Sequence, residues 1–179
     1  GDQTTGRAVV IDPRRDVSEY LADARRFGLT IEGVINTHFH ADFVSGHLEL
    51  VEATGGWIGF GEAAETDYQI RRLADGEHVS LGEVDLEIMA TPGHTWESIS
   101  VLVRERAEAQ PVAVLTGDSL FIGDVGRPDR PAHARATSIE VAVQTASPSS
   151  VVRSTRAVSR SSTRSQTSRG RRSAKSSEG

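Results

Sequence analysis

Three short apolar runs in this chain each end in polar residues that can bind a metal ion. GVIN leads into His38, His40 and Asp42, DLEIMA leads into His94, and VAVL leads into Asp118. Because open α/β folds place ligands at the carboxyl ends of their strands, we expect these clusters to lie close together. Two imidazoles and one carboxylate suit zinc or iron, and they form the facial triad of non-haem Fe(II) oxygenases. The alternative for the first cluster is a polar loop between two core elements.

The spacing of apolar residues predicts a layered α/β sandwich, with helices early in the chain and strands dominating later. Helices are predicted over 17–27, with Asp16 as the N-cap of a capping box, and over 47–54. Alternating polar and apolar residues over 78–91 predict two strands joined by a turn near Gly82. The other predicted strands are 7–12, 33–37, 57–60, 98–104 and 112–118.

Charge and composition divide the chain near residue 130. Residues 131–179 carry nine basic and two acidic side chains, whereas residues 1–130 carry 11 basic and 23 acidic ones. Residues 147–179 contain 12 serines and seven arginines, a composition that buries too little apolar surface to offset the entropy of ordering. We therefore predict a globular domain over 1–130 and a disordered tail over 147–179, and we leave 131–146 unassigned.

The basic tail has three interpretations. An Arg/Ser-rich segment can bind nucleic acid electrostatically. We favour a solvated tail without a specific partner, so nucleic acid is not an expected ligand. A shifted reading frame in a GC-rich gene would also produce such a sequence, and the change in composition is abrupt.

The absence of cysteine excludes several kinds of chemistry. The chain has no disulfide, no thiol nucleophile such as that of a rhodanese, and no cysteine ligands for zinc or iron–sulfur clusters. No run of about 18 apolar residues occurs, so no membrane-spanning helix is expected. The polar start lacks the pattern of a signal peptide. These features predict a cytoplasmic protein.

The motifs THFHAD, TPGHT and LTGDSLFIGDVGRPD resemble those of the metallo-β-lactamase superfamily in their order and context. The similarity is greatest to its persulfide dioxygenase branch and covers residues 6–130. It implies an αββα sandwich with the active site along one edge of the two sheets, and a relationship to glyoxalase II, a hydrolase with a two-metal centre. The chain begins after the family's first strand has started and departs from the family near residue 130, so we expect an incomplete sandwich.

The resemblance implies a role for each residue of the polar clusters. His38, His94 and Asp118 would be the iron ligands. His40 would act beside them as a catalytic pocket residue, although the matching histidine is a metal ligand in hydrolytic relatives. Asp42 would orient the ligands through hydrogen bonds.

Two further positions bear on the substrate and on the number of metal ions. Arg127 matches a family position that contacts the glutathione carboxylate, which a guanidinium can bind in bidentate fashion. An ion pair with Asp124 or Asp129 explains Arg127 equally well. Phe43 stands where hydrolases with the full motif have a histidine for a second metal, so it favours a single ion. Phe43 has a second interpretation as a packing residue at the start of the next helix. His47 is predicted to lie on that helix.

These observations give one leading prediction and two alternatives. The leading prediction is an enzyme with one Fe(II) per chain that oxidises glutathione persulfide, or a similar small persulfide, to sulfite and thiol. The first alternative is a glyoxalase II-type thioester hydrolase with zinc. The second is an inactive, incomplete protein of the same fold. The expected partners are the persulfide and O2; a homodimer is allowed, and no membrane association is expected.

Overall fold

The computed structural model describes residues 1–121 and the backbone of a short strand at 124–125, and this part contains two sheets of four strands each and a short sheet of two strands. One helical layer and both sheets of the predicted sandwich lie in this part, and the predicted fold class is confirmed. The elements are β1 Arg7–Ile11, α1 Ser18–Phe27, β2 Thr30–Ile35, α2 His47–Thr54, β3 Trp57–Gly61, β4 Arg71–Leu73, β5 His78–Ser80, β6 Asp85–Ala90, β7 Ile99–Arg104, β8 Ala113–Leu115, a 3-10 turn Gly117–Ser119, β9 Leu120–Phe121 and β10 Asp124–Val125.

The first sheet is parallel in the order β1-β2-β3-β4, and α1 and α2 provide the first two crossovers. Successive side chains of β2 point to opposite faces of the sheet, as the pleat of a strand requires. Val34 is buried with Leu50 of α2, whereas Ile35 is buried against Ile88 and Val101 of the second sheet. No strand is predicted at Arg71–Leu73 from the sequence. Two arginines and a single buried leucine are too short a segment to show the alternation of a strand.

The second sheet is antiparallel in the order β5-β6-β7-β8. The predicted turn near Gly82 is confirmed: β5 and β6 form a hairpin, and Gly82 has a φ of 133° that favours glycine. The two sheets face each other across an aliphatic core that includes Leu73, Val79, Leu86 and Ile99. This packing brings strand ends from both sheets to one edge of the sandwich.

The capping box predicted for α1 is wrong. The helix begins at Ser18 with Val17 at the N-cap, and no side chain caps it. Asp16 instead accepts a hydrogen bond from the backbone N–H of Ser18 at 3.0 Å. Glu19 pairs with Arg14 in the preceding loop, so its side chain does not return to the N-cap.

Several predictions fall on residues outside the described part of the chain. The boundary near residue 130 and the segments 131–146 and 147–179 are among them, as is Arg127. Within the described part, no helix combines the length and the apolar character needed to cross a bilayer.

The segment before β1 is attached to the β5–β6 turn by a buried carboxylate. Asp2 Oδ2 accepts hydrogen bonds from the backbone N–H groups of Glu83 at 2.6 Å and Val84 at 3.0 Å. Its Oδ1 accepts two more from Thr4, from the backbone N–H and from the hydroxyl. These bonds, led by that of the Thr4 hydroxyl, hold the pKa of the Asp2 carboxyl well below its usual range. The charged carboxylate therefore joins the two sheets at this end.

Asp2→Asn is expected to lower the free energy of unfolding at pH 7 by about 1–3 kcal/mol, because hydrogen bonds to a charged acceptor are lost. The folded-state pKa of Asp2 lies below the unfolded one, so its contribution is present above about pH 3.9 and fades as the pH falls further. Urea unfolding between pH 7 and pH 2.5 measures this loss. Asp23→Asn on α1 is the control, and equal acid sensitivity of wild type and Asp2→Asn would contradict the role of Asp2.

Candidate metal centre

Three polar side chains from both sheets meet at the edge of the sandwich. His38 follows β2 of the first sheet, whereas His94 follows β6 and Asp118 follows β8 of the second. Their ligand atoms all lie within 4.8 Å of one another. Asp118 Oδ2 is 3.6 Å from His94 Nε2 and 3.9 Å from His38 Nε2. The structure thus brings together the three side chains that the strand-end pattern places at one site.

The chemistry of the three groups fits a divalent ion. His38 is 2% exposed, and its Nε2 is a buried polar atom without a hydrogen-bond partner in the described part of the chain. Burial lowers the pKa of the His38 imidazole, and the neighbouring His40 lowers it further, so the ring is neutral at pH 7. A neutral imidazole offers the lone pair that a metal needs. The side chains of His94 and Asp118 are 29% and 37% exposed, which leaves one side of the cluster open to a substrate.

His40 lies beside the cluster but is held by a different group. Its ring centroid is 4.2 Å from that of His38, and its Nε2 is 2.9 Å from Oδ1 of Asp12 at the end of β1. Asp12 also accepts hydrogen bonds from the backbone N–H of Thr37 at 2.7 Å and from its hydroxyl at 2.8 Å. The sequence analysis missed Asp12. Its position at the carboxyl end of a parallel strand beside β2 is the signal that could have identified it.

A second carboxylate that the sequence analysis missed connects two of the three loops. Glu97 is 6% exposed, and its Oε1 accepts hydrogen bonds from the backbone N–H of Phe39 at 2.8 Å and from the hydroxyl of Thr95 at 2.7 Å. Phe39 follows His38, and Thr95 follows His94. Glu97 therefore fixes the position of one histidine loop relative to the other.

The third loop is held by hydroxyl contacts and by close packing. Ser119 Oγ is 3.0 Å from Oγ1 of Thr91, which lies in the His94 loop. Gly117 has a φ of 50°, and a Cβ placed there would lie 2.3 Å from Oγ1 of Thr37. Only glycine lets the backbone beside Asp118 approach the first histidine loop this closely.

Among the other predicted residues that the structure describes, Asp42, Phe43 and His47 do not join the cluster. Asp42 is exposed, and no side chain in residues 1–121 forms a hydrogen bond with it, so its orienting role stays a prediction. Phe43 packs its ring 4.3 Å from the ring centroid of His40. His47 is the first residue of α2, as predicted, and its Nε2 is 3.0 Å from the Tyr68 hydroxyl. Arg127 lies outside the described residues.

Comparisons with known proteins agree on one family. The profile described as "Metallo-beta-lactamase superfamily" matches residues 3–56. A hydroxyacylglutathione hydrolase from Rhodospirillum rubrum is 35% identical over 127 residues, which cover 70% of this chain and 47% of that protein. The mitochondrial persulfide dioxygenase ETHE1 from Bos taurus is 31% identical over 133 residues, which cover 72% of this chain and 49% of that protein. The chain thus spans about half the length of these curated relatives.

Two solved structures have similar backbones. A metallo-beta-lactamase from Staphylococcus aureus aligns with a TM-score of 0.65 and 39% identity, over 72% of this chain and 41% of that one. ETHE1 from Myxococcus xanthus aligns with a TM-score of 0.62 and 31% identity, over 73% of this chain and 55% of that one.

Gly117→Ala is expected to weaken Zn2+ binding by about 10-fold or more, because the added Cβ displaces Thr37 and with it the first histidine loop. Gly76→Ala is the matched control. Gly76 also has a positive φ, 74°, but no atom outside the neighbouring residues of the chain lies within 4 Å of the position that an added Cβ would occupy. Both variants lose roughly 1–2 kcal/mol of folding stability from the left-handed backbone. Competition with a chromogenic chelator measures the affinity, and equal affinities in the two variants would contradict this account.

Proposed function

This chain belongs to the metallo-beta-lactamase superfamily, and we propose that it is a mononuclear iron dioxygenase that oxidises a low-molecular-weight persulfide, such as glutathione persulfide, to sulfite and thiol. The observation that carries the proposal is the composition of the metal cluster: two histidines and one aspartate, with a phenylalanine where a further donor would stand. Relatives of both kinds, dioxygenase and hydrolase, match the chain over similar lengths, so we base the choice between them on these residues.

His38, His94 and Asp118 would hold the ion. Two imidazoles and one carboxylate on one face are typical of non-haem Fe(II) oxygenases, which keep the remaining positions for substrate and O2. Iron, when bound there, supplies the activation of O2 and of the persulfide sulfur. The partial exposure of His94 and Asp118 leaves room for both reactants on the solvent side.

Phe43 supports a single ion. It has no donor atom, and its ring packs against His40 at a centroid distance of 4.3 Å. A hydrolase with two metals would need a further nitrogen or oxygen ligand near this position. Asp12 holds Nε2 of His40 at 2.9 Å, so that nitrogen is engaged away from the cluster as well.

The proposed reaction has a simple balance. The sulfur–sulfur bond of the persulfide breaks, and the inner sulfur leaves as the thiol with a proton. The outer sulfur is oxidised to sulfite; O2 is the oxidant and is reduced, and water supplies the remaining oxygen atom. We propose that His40, whose ring centroid lies 4.2 Å from that of His38, exchanges protons during this reaction. We propose Arg127 as the group that binds a carboxylate of the thiol carrier. The proposed partners are the persulfide and O2. The proposed location is the cytoplasm, and a homodimer is compatible with the proposal.

A zinc-dependent thioester hydrolase is the second candidate. The observation that favours it is the sequence comparison: the hydroxyacylglutathione hydrolase of Rhodospirillum rubrum is 35% identical to this chain, and the bovine persulfide dioxygenase is 31% identical. His38, His94 and Asp118 would also hold zinc, and zinc would supply activation of water for hydrolysis of the thioester.

The full chain, loaded anaerobically with Fe(II), should consume O2 when glutathione persulfide is added and should release sulfite in equal amount. Asp118→Asn should eliminate both iron binding and O2 uptake, because it removes the anionic ligand. Asp23→Asn on α1 makes the same chemical change outside the cluster and should leave both unchanged. Oxygen electrode and sulfite assays provide the measurements.

The same assays distinguish the alternatives. Cleavage of a glutathione thioester by the zinc-loaded chain, without persulfide-dependent O2 uptake by the iron-loaded chain, would overturn the dioxygenase proposal in favour of the hydrolase. Stoichiometric iron binding with neither activity would overturn both and leave a metal-binding domain without catalysis.

A further inference from the structure

We propose that Asp12 and Thr37 are positioning residues that determine which ring nitrogen of His38 and of His40 carries the proton. The inference rests on the proposed function only in taking His38 as a metal ligand. The proton positions themselves follow from hydrogen bonds of the metal-free protein. Neither Asp12 nor Thr37 is expected to touch the ion or the substrate.

The Thr37 hydroxyl has a single proton and two neighbours. Its Oγ1 is 2.8 Å from Asp12 Oδ2 and 3.0 Å from Nδ1 of His38. An ionised carboxylate can only accept hydrogen bonds, so the hydroxyl proton must point to Asp12. The contact with the ring is then a hydrogen bond in which His38 Nδ1–H donates to the Thr37 oxygen. His38 is therefore protonated on Nδ1.

This assignment leaves the lone pair of His38 on the nitrogen that faces the cluster. A neutral imidazole has one N–H, so protonation at Nδ1 makes Nε2 the free donor atom. Nε2 is buried, has no hydrogen-bond partner in residues 1–121, and is 3.9 Å from Asp118 Oδ2. A hydrogen bond to the other ring nitrogen is the usual way in which proteins fix the metal-binding nitrogen of a histidine.

The other oxygen of Asp12 assigns the opposite proton position to His40. Asp12 Oδ1 lies 2.9 Å from Nε2 of His40 and 2.7 Å from the backbone nitrogen of Thr37. Because the carboxylate only accepts, His40 carries a proton on Nε2. One carboxylate thus places a proton on a different ring nitrogen in each of the two adjacent histidines. His38 is left with Nε2 as the donor atom for an ion, and Nε2 of His40 is held by Asp12.

The backbone at Asp12 makes an informative substitution available. Asp12 has a φ of 49°, a left-handed conformation that aspartate and asparagine tolerate better than most residues, and its N–H donates to Ile35 O at 2.9 Å. Asparagine at this position should therefore keep the backbone. The Thr37 N–H can only donate, so the amide oxygen must take the place of Oδ1. The amide NH2 then faces the Thr37 hydroxyl.

Asp12→Asn should consequently reverse the order of donors. The NH2 group donates to Thr37 Oγ1, the hydroxyl proton turns to His38 Nδ1, and His38 changes to the Nε2–H tautomer. Nitrogen-15 NMR of histidine-labelled, metal-free protein reports the tautomer of each ring directly. Wild type should show Nδ1–H at His38 and Nε2–H at His40, and Asp12→Asn should show Nε2–H at His38. Zn2+ affinity should fall by about 10–100-fold in the variant.

Variants of Thr37 separate positioning from packing. Thr37→Ser keeps the hydroxyl and should retain the wild-type tautomer and Zn2+ affinity. Thr37→Val has nearly the same shape without the hydroxyl and should lose the Nδ1–H preference of His38 together with affinity. Asp23→Asn on α1 controls for the loss of one carboxylate. Circular dichroism identifies any variant that fails to fold. If Asp12→Asn does not fold, the comparison of Thr37→Ser with Thr37→Val tests the inference.

Two results would overturn the inference. One is an Nε2–H tautomer at His38 in the metal-free wild type. The other is unchanged tautomer and affinity in folded Asp12→Asn or Thr37→Val. If the predicted tautomers are found but the iron-loaded chain consumes no O2 with a persulfide, the inference stands and the proposed function fails.

Discussion

The candidate metal site of His38, His94 and Asp118 exists only because the two sheets pack against each other in one fixed position. His38 is attached to the first sheet, whereas His94 and Asp118 are attached to the second. The aliphatic core between the sheets holds them together, and direct backbone contacts fix their alignment at the site. The N–H of Ile99, at the start of β7, donates to Thr37 O at 2.8 Å, so this strand of the second sheet begins beside the first histidine loop.

Close backbone approach and buried carboxylates convert this packing into a defined site. A Cβ on Gly61, at the end of β3, would lie 2.1 Å from Glu97 O, so glycine is required where the two sheets meet. Glu97 then links the two histidine loops, and Asp12 links the first of them to β1. The ligands are therefore positioned by groups that do not bind the ion themselves, which keeps the site organised before metal binding.

Much of this arrangement could be predicted from local patterns. Alternating apolar residues located most strands and the turn at Gly82, and polar residues directly after three of those strands identified His38, His94 and Asp118. Glu97 could not be found in this way, whereas Asp12, which directly follows β1, carries the same strand-end signal as the three predicted ligands. The role of each carboxylate becomes visible only in the tertiary structure, because Asp12 binds Thr37, 25 positions away, and Glu97 binds Phe39, 58 positions away. The capping box of α1 failed for a local reason, because Glu19 pairs with Arg14, five positions earlier in the chain.

The choice between a hydrolase and a dioxygenase depends on how many side chains bind metal and therefore on how many ions the site holds. Relatives of both kinds match this chain, and His38, His94 and Asp118 form a cluster that could hold a metal ion. The neighbouring residues favour one ion: Phe43 has no donor atom, and Asp12 engages Nε2 of His40. The central claim is therefore a single ion bound by two imidazoles and one carboxylate.

Proton and nitrogen-15 NMR of the Co2+-loaded, histidine-labelled protein tests this claim most directly, because the paramagnetic ion shifts the signals of the rings that bind it. We expect strongly shifted signals from two imidazoles, those of His38 and His94, with one Co2+ per chain. Directly coordinated signals from three imidazoles including His40, or binding of two ions per chain, would contradict it.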